Sequence, residues 1–404
     1  MALLLRSPLG LCLLFVSAMT GVISVGYPLA LDSAGFAKGD IALFFVVNSL
    51  IAFTLALSSS RPVALRHAPR LLTPALLAGA VGTALVSTGH ALPLVCLGGA
   101  LSMAGAVSLP LILRRLQTTP GAAGLSDAVL AARTRWIAVA GYVAGVAVFA
   151  GSSSLTEWWS DWPPVGAAVL LLLGAAVLAT LDRRSAPAPA PPAPAASAGR
   201  SGVGPALAVG VLAIVLLKAA DSLRLVYLPL FVVNSGWDPR LNSVLFMLTA
   251  LVELAVLPWL GRAGERHPAA RLLALAALAG ALSFTLTAVW TSLGSLLASQ
   301  TIFAVFAAAL QSLGMVVLAG LVRGGLPAGA GLFAGVMQLG SLVGILAPLT
   351  VSGYRPALFW IAVAFCVGST LVLLLLNRLT GTDAPSVPPH PRGTNDDAAK
   401  KAPR

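Results

Sequence analysis

Charge is scarce in this sequence. Only 9% of its 404 residues are Asp, Glu, Lys or Arg, against about 25% in a soluble globular domain. A water-facing surface of that size cannot be covered so thinly, which excludes a soluble enzyme. Disorder throughout and nucleic-acid binding are excluded as well, because one needs low hydrophobicity and the other dense positive charge. Cysteine is nearly absent. Cys12, Cys96 and Cys366 lie far apart in apolar stretches, which makes neither a disulfide framework nor a zinc site and reads as small residues packed between helices. His67, His90 and His267 have no metal-ligand neighbour in the chain. The phosphate-binding loop, the nucleophile elbow and the HExxH pair are all missing. Direct ATP hydrolysis, a bound metal and a cofactor are therefore not expected. A membrane-embedded enzyme would need a clustered nucleophile and base that the sequence does not provide.

What is present is apolar length: 58% of residues are hydrophobic. A spanning helix needs about 20 predominantly apolar residues. Twelve such runs occur, at 9–31, 39–58, 71–89, 91–113, 134–155, 163–181, 205–232, 241–260, 270–290, 293–318, 328–351 and 355–378. The run after Arg6 exceeds a signal-peptide core and lacks a clear cleavage site, so it reads as the first span. Gly141, Gly145, Gly335, Gly340 and Gly344 are small residues of the kind that let membrane helices approach closely. Pro28, Pro110, Pro229, Pro258 and Pro348 fall in or near span ends, where membrane helices tolerate them.

The net charge of +12 acquires a meaning from its placement. With the N-terminus inside, twenty of the 25 Lys and Arg residues fall in inward loops and tails, and only Lys38, Arg240 and Arg355 fall outside. That is the bias of the positive-inside rule. Asp32, Asp40, Glu157, Asp161 and Asp238 give the outer loops an acidic lean, and Trp158, Trp159, Trp162 and Trp237 gather near the outer boundary as an aromatic belt. The expected setting is a bacterial plasma membrane, multi-pass, with both termini cytoplasmic.

Residues 185–204 form a Pro/Ala run that cannot span and reads as a solvated linker. It divides the chain into an N-terminal unit (1–184) and a C-terminal unit (205–378), followed by a disordered tail (379–404). The halves echo one another: Arg66-His67 follows span 2 and Arg266-His267 follows span 8, while Tyr27-Pro28 and Tyr227-Leu228-Pro229 close spans 1 and 7. The fold class expected is an all-α membrane protein of twelve transmembrane helices in two six-helix bundles, with a substrate path between them.

Gly261-Arg262-Ala263-Gly264-Glu265-Arg266 after span 8 resembles the loop motif of the major facilitator superfamily, with Glu265 in place of the usual Asp. The copy at Arg61–Arg66 keeps only the Arg. The resemblance implies the major facilitator fold and a cytoplasmic gate at Gly261, Glu265 and Arg266. A narrower resemblance, to the bacterial sugar efflux transporters, rests on Asp221-Ser222-Leu223 with Leu228–Asn234, on Val252-Glu253-Leu254, and on Arg135 ten residues before Gly145, where Val146 replaces the family's proline. It implies export of a sugar or glycoside by alternating access, as a proton antiporter. Export of a drug or natural product is the alternative. A non-transporting membrane sensor or assembly partner is the rival from another class.

An ionisable group inside a span costs about 2.5–3.5 kcal/mol on insertion scales, so each is a candidate for function. Lys218, Asp221 and Arg224 share a face of span 7, where Asp221 can pair with either cation; the bland reading is a self-neutralised trio holding helices together. Glu253 in span 8 has no basic residue within one turn. Desolvation disfavours the charged form of a lone carboxylate, which suits a proton carrier; the bland reading is a pair across helices, for which the span 7 cations are one option. Asp32 reads as a solvated loop charge. Asn48, Gln300, Gln311 and Gln338 can each donate to and accept from a hydroxylated substrate. Gln338 before Gly344 stands somewhat as Arg135 stands before Gly145. Tyr27, Trp136, Tyr142 and Tyr227 offer flat faces for a ring, though packing or interfacial anchoring also accounts for them. Partners expected are the bilayer, a small-molecule substrate and protons. No nucleic acid is expected, and the chain reads as a monomer.

Overall fold

A computed structural model describes residues 7–59, 68–89, 91–106, 108, 112, 127–153, 163–185, 204–290, 292–322 and 325–381. The described residues form twelve α-helices: α1 (Pro8–Ser33), α2 (Lys38–Ser59), α3 (Ala68–Thr88), α4 (Leu92–Ala106), α5 (Asp127–Ser153), α6 (Pro163–Ser185), α7 (Pro205–Asn234), α8 (Arg240–Arg266), α9 (Ala269–Val289), α10 (Leu293–Leu321), α11 (Gly325–Leu346) and α12 (Leu358–Gly381). Each falls on one of the twelve apolar runs. Ten are long and apolar enough to cross a membrane; the described apolar parts of α4 and α6 are shorter. In hydrocarbon only a helix satisfies its own backbone, so apolar length alone dictates the element type. The 328–351 run does not stay α-helical to its end: a 3-10 turn, Ala347–Thr350, closes it around Pro348.

Local chemistry sets the helix starts. Ser7 caps α1, its Oγ accepting from the Gly10 amide at 3.1 Å, with Pro8 in the first turn. Ser292 does the same for α10. Gly35 and Gly236 end the first helix of each half at φ +82°, where a side chain would be strained.

The helices make two six-helix bundles with one packing pattern. In the first, α1 packs on α5 and α6, α3 on α4 and α6, and α2 on α4; in the second, α7 packs on α11 and α12, α9 on α10 and α12, and α8 on α10. Between bundles, α1 meets α7, α2 meets α11, and α5 meets α8. An offset of 201 carries Pro28 onto Pro229, Gly35 onto Gly236, Asn48 onto Thr249 and Gly79 onto Gly280. In α5 and α11 the offset is 199. It carries Gly145 onto Gly344, and a Cβ at either would run into a carbonyl oxygen, of Ala18 and of Ala219 respectively. Side chains finish both contacts: Ser24 meets Tyr142 between α1 and α5, and Ser222 donates to Ser341 between α7 and α11, each at 3.0 Å.

That register corrects one expectation. Arg135 corresponds to Ala334, not to Gln338, which lies opposite Val139. The bundles do not present these two side chains at equivalent heights, because backbone contact at Gly145 and Gly344 sets the alignment of α5 and α11.

Leu170, Leu275 and Leu371 are the most exposed of the large hydrophobic side chains among the described residues. A chain whose outward faces are as apolar as its core is built for lipid. Cys12, Cys96 and Cys366 are free thiols, two of them buried. Linker residues 186–203, the tail beyond 381, the Arg61–Arg66 motif copy with His67, and Trp158, Trp159 and Trp162 lie outside the described residues.

Candidate functional site

The charges of span 7 divide between two environments. Lys218 donates to Asp221 at 2.6 Å, one turn apart, and both are half-buried. The Lys218 stem lies against Gly340 of α11, where a larger residue would displace it. Asp221 therefore takes one of the two cations open to it, the one that points the same way around α7.

Arg224 turns into the C-terminal bundle and is 4% exposed. Its Nε donates to Gln300 Oε1 at 2.6 Å and its Nη2 to Thr249 Oγ1 at 2.9 Å. Phe246 and Phe303 cover the guanidinium at 4.3 and 4.2 Å from their ring centroids. Gln300 Nε2 donates to Ser299, and Thr287 donates to the same hydroxyl. One polar chain thus joins α7, α8, α9 and α10. Arg224 does not stand open to the space between the bundles as expected, because two rings and two oxygen acceptors solvate it from within.

Glu253 has a partner that spacing could not show. Arg135 of α5 donates to its Oε1. The ion pair crosses from the N-terminal bundle to the C-terminal one, with the Arg135 side chain 38% and the Glu253 side chain 12% exposed. Glu253 is thus paired across helices, with Arg135 and not a span 7 cation as its partner, since Arg224 is committed to Gln300 and Lys218 to Asp221. Between the halves, α5 and α8 bring Arg135 and Glu253 together.

The remaining candidates scatter. Tyr27 is 2% exposed and donates to Thr83 at 3.2 Å. Tyr227 is buried and donates to the Ile345 carbonyl at 2.7 Å. Both are packed in their bundles, with no open ring face for a substrate. Asn48 is buried beside Gly99 and Phe44, its Oδ1 without a hydrogen-bond partner. Trp136, Gln311 and Gln338 are half-buried. Gly261 and Arg266 are exposed at the end of α8, and the Glu265 side chain lies outside the described residues. Among the described residues no cluster of His, Cys, Asp or Glu is arranged to hold a metal.

Sequence reasoning missed Thr249, Ser299, Thr287, Phe246 and Phe303 around Arg224, and it missed Lys38. Small hydroxyls and phenylalanines on apolar helices carry no signal of their own. The offset of 201, had it been found, would have paired Thr249 with Asn48 and Gln300 with Gly99.

With this geometry in hand, known folds give a clear match. A crystal structure of a point mutant of the nucleoside transporter NupG superposes with a TM-score of 0.74, covering 93% of this chain and 99% of that one at 14% identity. The fold is that of the major facilitator superfamily. The peptide-transporter-family member PepTSo gives a TM-score of 0.72 at 13% identity, over 93% of this chain and 98% of its own. A bacterial homolog of the human lysosomal transporter Spinster, in an inward-facing, unoccupied conformation, gives 0.66 at 15% identity, over 93% and 95%. In sequence, residues 210–403 match the Major Facilitator Superfamily. No curated protein sequence matches significantly.

Proposed function

We propose that this chain is a secondary active transporter of the major facilitator superfamily, moving a small molecule across a bacterial plasma membrane by alternating access. The fold, the family match over residues 210–403 and the likeness to solved structures of transporters support transport, and nothing in the residues recommends an enzyme. Units 1–184 and 205–378 rock against one another, with the turns at Gly35 and Gly236 outside and the linker and termini inside. The direction is export, and the substrate is a sugar or glycoside, on the resemblance of Asp221–Asn234, Glu253 and Arg135 to the sugar efflux transporters. Drug or natural-product export by the same cycle is the second reading, favoured by Val146 at the family's proline position.

One observation carries the mechanism: Arg135 and Glu253 form an ion pair that ties the two bundles together. A proton arriving on Glu253 removes the charge that holds Arg135, and the bundles are then free to part at that level. Loss of the proton restores the tie. Asp221 and Lys218 form a second ion pair, within α7 and not between the bundles. Arg135 is partly open to solvent, so the tie is weaker than a fully buried pair, and the substrate's own binding supplies the rest of the shift between states.

The test is flux in proteoliposomes under an imposed pH gradient, screening sugars, glycosides and cationic drugs. Proton-driven flux is expected in the wild type, and its dependence on the gradient is expected to vanish in Glu253→Gln. Unchanged coupling in both Asp221→Asn and Glu253→Gln would sink the proton switch. Wild-type failure with every candidate would favour the sensor reading.

A further inference from the structure

Away from the central charges, one cation crosses between the bundles. Lys38 is the first residue of α2, just past the Gly35 turn. Its Nζ donates to the backbone carbonyls of Pro348 at 2.8 Å, Val351 at 2.6 Å and Gly353 at 2.8 Å. An ammonium has three donors, and all three are used. The acceptors belong to the 3-10 turn after α11 and to the segment leading into α12, where Gly353 at φ +65° helps bend the chain. The rings of Tyr227 and Tyr354 lie 5.4 and 5.7 Å from the same nitrogen. Every one of these five groups is on the C-terminal half, and Lys38 is on the N-terminal half.

We propose that Lys38 is the latch that holds the turn ends of the two bundles together, and that its withdrawal is a required step in opening that end. The proposal rests on the alternating-access reading. The three hydrogen bonds share one atom, so they form and break together, as a switch does. Water can replace each of them once the end opens, so the latch is reversible. The device is one-sided, since the offset of 201 puts Pro239 at the equivalent place in the other half. A second contact of the same end, Asn234 Nδ2 to Asp32 Oδ2, is longer, at 3.4 Å. Arginine would not serve in place of Lys38, because a planar fork cannot aim three donors at one convergent set of carbonyls.

The experiment is a distance measurement by pulsed electron resonance, with spin labels on cysteines replacing Ala34 and Ser235. Both positions are exposed at the turn end, one in each half. The native cysteines are replaced by alanine, and the full chain is reconstituted in lipid without substrate. Lys38→Met is expected to raise the long-distance population relative to the short one by about tenfold or more, the worth of one charge-assisted hydrogen bond. Lys38→Arg, which keeps the charge, is expected to raise it as well, and Tyr354→Phe to leave it unchanged. Equal distance distributions in the wild type and a monodisperse Lys38→Met protein would overturn the latch. The readout needs no transported substrate, so a failure of the latch and a failure of the transport reading are seen separately.

Discussion

Arg224 makes an energetic commitment that can be measured. Its guanidinium is buried with Gln300 and Thr249 as its two hydrogen-bond acceptors. In Gln300→Leu the charge stays buried while Nε loses its acceptor at 2.6 Å. Hydrogen bonds to charged groups are worth about 1.5–3 kcal/mol, and orphaning a buried charge costs about 3–5. A loss of about 3 kcal/mol is therefore expected for the single variant. Adding Arg224→Met removes the charge that was orphaned. The new thioether fills the slot between Phe246 and Phe303, where sulfur–ring contact is favourable. Thr249 keeps its bond to the Leu245 carbonyl at 2.9 Å, so no hydroxyl is stranded. The doubly substituted protein should accordingly be more stable than Gln300→Leu alone, within about 1.5 kcal/mol of the wild type. Equilibrium unfolding of the purified protein in mild detergent, followed by tryptophan fluorescence, gives the ordering. If the double variant is less stable than Gln300→Leu, with the two losses adding, Arg224 and Gln300 are not coupled and the buried network is misread.

Two further outcomes are expected. Gly145→Ala and Gly344→Ala should each lower stability by about 1–3 kcal/mol, because backbone cannot step aside for the new methyl; Gly294→Ala, which meets nothing within 4 Å, should be neutral or stabilising in the same unfolding assay. For orientation, a cysteine replacing Ala34 should react with an impermeant maleimide added to intact cells, and one replacing Arg262 only after permeabilisation. The reverse pattern would invert the assignment of inside and outside. At the Lys38 latch, burial pushes the Tyr354 hydroxyl up to about 12, with the nearby Asp32 charge acting in the same direction. Tyr354 therefore stays neutral across physiological pH, and its ring, not its charge, faces the ammonium.

Much of this molecule was legible before any coordinates. Apolar length forces helices in lipid, so the twelve elements could be counted; charge placement gives an expected orientation, which the maleimide experiment tests. The rarity of charge inside spans pointed to Lys218, Asp221, Arg224 and Glu253 as the groups that need an account. Their partners were not legible. Glu253 has no basic neighbour along its own helix and meets Arg135, 118 residues away; Arg224 prefers Gln300 and two phenylalanines to the Asp221 three residues before it. Lys38 looked like an ordinary loop cation, since nothing local shows that three carbonyls from beyond α11 converge on it. Periodicity and composition report what each helix does with its surroundings as an average, whether lipid, protein or water. Which charge meets which depends on how the helices are brought together, and within each bundle that is set by backbone contact at residues such as Gly145 and Gly344, whose only chemical property is the absence of a side chain.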